Sequence, residues 1–93
     1  MQLSLKPRVS QMFPDLRQFE VLGLPPNRAA WIGQPSAEHR ANGRWSILPI
    51  TVISSTAHAR HIEWIGDFDS PEAALASIDH AFLEDRRYWA DLR

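Results

Sequence analysis

The stretch WIGDFDSPEAALASIDHAF, Trp64 to Phe82, carries the sharpest local signals in the chain. Ser70-Pro71 reads as a helix start. Proline suits the first helical position, and its ring pushes Ser70 into the extended backbone of an N-cap. Asp67, Asp69 and Glu72 place negative charge beside the positive end of the helix dipole, so this acidic group has a structural explanation. Downstream, Leu75, Ile78, Phe82 and Trp89 recur at helical spacing, flanked by Ala74, Ala81 and Tyr88. The spacing predicts one long helix from 71 to about 90. Asp85 interrupts its apolar stripe, and a carboxylate there has to be paired or lie at the rim of a contact.

Upstream of the cap, HIEWIGDF alternates, with Ile62, Trp64 and Phe68 on the inward face and His61, Glu63 and Asp67 outward. RWSILPITVIS is β-branched and aromatic. Trp45 and Ile47 share one phase and Ile50 and Val52 the other, which suggests a bulge or an edge at Pro49. Residues 44–54 and 60–67 are expected to form an antiparallel pair joined by the turn STAHA.

The N-terminal part is less legible. LSLKP suggests a brief strand ended by Pro7, VSQMF a helical turn stopped by Pro14, and QFEVLGL a strand ended by PPN. RAAWIG fits either a strand or a buried loop. QPSAEHRANG is polar and ends in Asn42-Gly43, which fits either a loop or a hairpin.

The chain has 93 residues, 44% of them hydrophobic, and a net charge of −1. That size implies one small α+β domain, residues 1–93, with a thin core. Near-neutral charge argues against nucleic acid or an anionic membrane as partner. The absence of cysteine removes disulfides, thiolate metal sites and a cysteine nucleophile. MQLSLKPRVS lacks a signal-peptide core, and no stretch approaches the roughly 20 apolar residues of a membrane span. A soluble, cytoplasmic domain is expected.

Candidate chemistry is sparse. His58, His61, Glu63 and Asp67 could face a divalent ion, but a solvated strand face with alternating charges is the favoured explanation, and neither metal nor cofactor is expected. His58, Arg60, His61 and Glu63 could serve a small metal-independent nuclease or toxin, because RNA cleavage needs only positioned groups that titrate near neutrality. The four glycines are scattered, so no phosphate-binding loop exists. FPDL (13–16) and DSPEAALASI (69–78) each resemble a short piece of the HicB-type antitoxin domain. In that family the two pieces lie close together, whereas more than fifty residues separate them here.

Of the four tryptophans, Trp64 and Trp89 follow core periodicity, while Trp31 and Trp45 flank a polar loop. Tryptophan and arginine dominate binding hot spots, so Trp31, Arg40, Arg44 and Trp45 form a candidate contact patch. A five-turn helix also outruns a small sheet. Asp85, Tyr88, Trp89 and Leu92 are therefore a second candidate, a partner or self-association surface on which Asp85 meets an arginine. The alternative for Asp85 is an intrachain partner such as Arg8, Arg17, Arg28 or a histidine. The expected architecture is a three- or four-stranded, mainly antiparallel sheet with a long C-terminal helix packed on one face. The expected function is non-catalytic: a small binding or regulatory protein acting through contact with a protein partner or with itself. A nuclease is the first alternative and a nucleic-acid-binding module the second.

Overall fold

A computed structural model of the chain describes residues 2–9, 17–52, 59–61 and 63–89. It is built around one antiparallel sheet. β1 (Ser4–Val9), β2 (Arg17–Leu22), β3 (Arg28–Gly33) and β4 (Trp45–Val52) follow one another as a meander. Two short strands share the outer edge of β4: β5 (Ala59–His61) pairs its end, Ile50 to Val52, and β6 (Ile65–Phe68) its start, Trp45 to Ile47. The sheet is thus five positions wide. RAAWIG resolves as a strand, and β1 runs through Pro7 to Val9 rather than stopping there. The helical turn expected in VSQMF lies, beyond Val9, outside the described residues, as does most of STAHA.

The expected long C-terminal helix is absent. Residues 71–89 form three short helices instead: α2 (Pro71–Ala76), α3 (His80–Leu83) and α4 (Arg86–Trp89). Polar side chains that compete for backbone partners break the run. Ser77 Oγ donates to the Ala74 carbonyl at 2.6 Å, and Asp79 Oδ1 accepts the Phe82 amide at 2.9 Å as the cap of α3. Asp85 Oδ1 accepts the Arg87 amide at 2.9 Å and opens α4. The cap at Ser70 is as expected, its Oγ accepting the Ala73 amide at 3.0 Å. The break has a packing consequence. A continuous helix would carry its stripe along one line, whereas three turns set at angles bring Ala74, Ile78, Leu83 and Trp89 all into the core.

That core lies between α2–α4 and one face of the sheet. Val21, Ala30, Ile32, Trp45 and Ile47 supply the sheet side, with Phe19 tilted against Trp45 at 5.7 Å between ring centres. Trp89 is 4% exposed, donates its indole N–H to the Phe82 carbonyl at 3.0 Å, and meets the Phe82 ring edge-on. The Arg28 guanidinium lies over the Trp89 ring at 5.8 Å, and its buried Nε has no hydrogen-bond partner among the described residues. Thr51 Oγ1 donates to the Tyr88 carbonyl at 3.2 Å, fastening α4 to β4. No helix among the described residues is long and apolar enough to cross a membrane.

The polar stretch after β3 is neither loop nor hairpin. Ser36 caps a short helix, α1 (Ala37–Asn42), and Gly43 ends it in the left-handed conformation at φ 64°. The bulge expected near Pro49 lies elsewhere. Pairing of β3 with β4 runs unbroken through Ala30↔Pro49, while on the other side Trp45↔Phe68 and Ile47↔Ile65 leave Gly66 and Asp67 facing Ser46 alone. The bulge is in β6, with Gly66 at φ 77°.

Two of the three positive-φ glycines, Gly43 and Gly66, differ in a way that a melt can read. A Cβ at Gly43 meets open space, whereas one at Gly66 would run into the Phe68 ring. Gly43→Ala should cost about 1–2 kcal/mol, the ordinary left-handed penalty. Gly66→Ala should cost more, because the ring or the bulge must also move. Urea melts with equal midpoints for the two variants would contradict this placement of the bulge.

Candidate interaction surface

Every strand side chain belongs to one of two faces, fixed by the register. Trp45, Ile47 and Thr51 face the helices. Trp31, Gly33, Ser46 and Leu48 face the opposite side, because Trp31 pairs with Leu48 and Gly33 with Ser46. Gln18 and Glu20 of β2 join them. The candidate patch Trp31, Arg40, Arg44 and Trp45 is therefore not one surface. Trp45 is 7% exposed in the core, and Trp31 stands half-buried on the far side of the sheet.

Trp64 takes the place that Trp45 was expected to fill. A Cβ built on Gly33 would sit 3.0 Å from the end of the Trp64 indole, so the end of the ring lies over Gly33 on the face opposite α2–α4. Gly33 and Trp31 are two apart on β3, so Trp64 lies on the same face as Trp31. The bulge explains the exchange. Its extra residue puts Ile65 and Phe68 on the core face although they are three apart, and so leaves Trp64 on the other. A strict alternation of 62, 64 and 68 misses this.

A polar strut closes one end of the face. Ser46 Oγ donates to the Gly66 carbonyl at 2.8 Å, so toward His39 Nε2, 3.1 Å away, it can only accept. With its proton on Nε2, the ring sets Nδ1 2.6 Å from the Ser36 hydroxyl. Ser36 Oγ in turn accepts the His39 amide as the helix cap at 3.1 Å. The chain Ser36–His39–Ser46–Gly66 ties α1 to β4 and to the bulge. It is not arranged for nucleophilic catalysis. The Ser46 proton already belongs to a carbonyl, and the nitrogen facing Ser46 is a donor rather than a base. Neither His39 nor Ser46 was singled out from the sequence. The only available hint was Ser36 three residues before His39, a cap spacing.

Beside the strut lies an open groove of about 390 Å³, lined by Glu38, His39, Asn42, Arg44 and Asp67. Arg44 is committed to its own chain. Its Nε donates to Asp67 Oδ1 at 2.6 Å, Nη2 to the Asp67 carbonyl at 3.0 Å, and Nη1 to the Asp69 carboxylate. The hydrogen bond to Asp67, followed by the charges of both aspartates, holds the guanidinium above its already high ordinary value. Arg40 is exposed and donates to the Gln34 carbonyl at 3.3 Å.

The other candidates are dispersed. Asp67 pairs with Arg44, Glu63 is exposed, Arg60 and His61 contribute backbone to β5, and His58 lies outside the described residues. Among the described residues no three His, Asp or Glu side chains come close enough together to hold a metal ion. On the C-terminal candidate surface, Trp89 belongs to the core, Tyr88 stacks on Phe82 at 5.1 Å, and Leu92 lies outside the described residues. Asp85 pairs locally, with Arg87 Nη2 donating to Oδ2 at 2.7 Å.

The chain is thus an antiparallel sheet domain with α2–α4 packed on one face and α1 at one end of the other. Comparison with family models, with curated proteins and with solved structures finds no match to it.

Two measurements check this geometry. Ser46→Ala, His39→Ala and the double variant form a cycle, and a shared strut should give a coupling of about 0.5–3 kcal/mol. Strict additivity would show that the two side chains act separately. The second concerns Asp85, whose carboxyl is held below the ordinary range by the hydrogen bonds from the Arg87 side chain and amide. A lowered folded-state value stabilises above the unfolded pKa and is lost as pH falls through the folded one. Asp85→Asn, which keeps a capping oxygen, should therefore be less stable than wild type at neutral pH. The gap should close as pH falls below the ordinary aspartate value near 3.9. A gap independent of pH would contradict a charge-based role.

Proposed function

We propose that this is a small, non-catalytic binding or regulatory protein, and that its contact surface is the face of the sheet opposite α2–α4. One observation carries the reading: two tryptophans, Trp31 and Trp64, stand half-buried together with Leu48 on a face that α2–α4 leave uncovered. Tryptophan contributes more per residue than any other side chain at protein contacts, and a half-buried indole still has surface to lose to a partner. Around these apolar residues lie Glu20, paired with Arg8, and the strut at Ser46. An apolar centre with a polar surround is the usual arrangement of a protein contact.

Area sets the kind of contact. Five strands at about 4.8 Å spacing and some six residues long present roughly 500 Å² of flat sheet. A standard stable interface takes about 800 Å² from each partner. The face therefore suits a reversible contact with a protein partner or a second copy, rather than an obligate assembly. Trp45 and Trp89 are unsuitable probes of it. Truncating a buried tryptophan costs about 3–5 kcal/mol, a large part of the stability of a small domain.

Trp31→Ala is the informative variant. Sedimentation equilibrium on wild type and variant, with affinity capture from native extract run in parallel, should show self-association or capture that Trp31→Ala weakens while far-UV circular dichroism is unchanged. A wild type that stays monomeric at the highest concentration, with a capture profile indifferent to Trp31→Ala, would overturn the proposal.

A further inference from the structure

The sheet has a second exposed feature, its β1 edge, and the sequence there is SLKPRV. All six β1 residues pair with β2, from Ser4↔Leu22 to Val9↔Arg17, including Pro7↔Phe19. A proline has no N–H to give to a hydrogen-bonded pair, so Pro7↔Phe19 is a non-hydrogen-bonded one. Alternation then assigns the rest. Lys6 and Arg8 direct their amides to β2, and Leu5, Pro7 and Val9 turn theirs outward. The outward row therefore has carbonyls at all three positions, but its central donor is missing. On either side of the gap stand the exposed cations Lys6 and Arg8, the latter shared with Glu20. Among the described residues no element lies beyond β1, and Val9 at its end is 73% exposed.

We infer that Lys6-Pro7-Arg8 is a guard that keeps the open β1 edge from accepting the β1 strand of a second copy. An unguarded edge of six residues is a template for strand addition. Two copies meeting antiparallel would merge their sheets into one. At the centre of that seam each chain would lack a donor, leaving the partner's carbonyl without its hydrogen bond. Lys6 would also stand opposite the second copy's Arg8, and Arg8 opposite its Lys6, and like charges directly opposite are unfavourable. This inference does not depend on the contact proposed for the sheet face, which uses side chains rather than the edge backbone. It does bear on that proposal, because association is steered away from the edge.

The test restores the donor and leaves the Arg8–Glu20 pair intact. Pro7→Val, alone and with Lys6→Thr, should sediment at a mass that rises above wild type with concentration. The rise should be accompanied by slowed amide exchange at residues 5–9. Ser4→Val adds comparable apolar surface to the same strand without adding an outward donor, and it should match wild type. Folded Pro7→Val variants with wild-type mass would overturn the inference. So would association by Ser4→Val to the same degree, since that would make apolarity the cause. Loss of the native circular dichroism in Pro7→Val would also overturn it, by assigning Pro7 to the strand's own folding.

Discussion

The bulge at Gly66 is the constraint on which the arrangement of this domain depends. Gly66 and Asp67 face Ser46 alone, and only a left-handed residue without a Cβ fits there beside the Phe68 ring. From this one irregularity, Ile65 and Phe68 both reach the core, and Trp64 is thrown onto the opposite face over Gly33. Asp67 is carried out to Arg44, and the Gly66 carbonyl becomes the end of the chain of hydrogen bonds that holds α1. With a regular strand, Trp64 would be a core residue and Trp31 would lack a second tryptophan on its face of the sheet.

The two faces and the edge consequently have different physical characters. The helix-covered face is a packed apolar core closed by α4 through Trp89, Thr51 and Arg28. The free face is apolar at Trp31, Leu48 and Trp64 but held at one end by the Ser36–His39–Ser46 strut. The β1 edge is polar, cationic and interrupted by Pro7. Of the three, only the free face combines partly exposed large side chains with a rigid backing, and for that reason it carries the functional proposal.

Breaking of the C-terminal helix follows the same logic of local chemistry against long-range pattern. The spacing of Leu75, Ile78, Phe82 and Trp89 is helical, and each short piece is indeed helical. Ser77, Asp79 and Asp85 offer the backbone hydrogen bonds that a continuous helix does not need, and the chain turns at each one. Asp85, which looked like a buried charge seeking a distant arginine, is satisfied two residues away by Arg87.

What the sequence alone determined is what depends on neighbours within a few residues. The cap at Ser70-Pro71, the strands around Phe19–Val21 and Trp45–Val52, and the stop at Pro25-Pro26 all rest on local steric and hydrogen-bonding rules. Which tryptophan is buried was decided only by the tertiary structure. An extra residue on one strand inverts the facing of everything beyond it, and its location depends on the partner strand's register rather than on its own composition. Pro49 looked like the irregular position, yet it pairs regularly with Ala30 and is fully buried. The irregularity fell on a glycine because glycine alone could adopt the left-handed turn against Phe68, a contact that exists only once β6 lies beside β4.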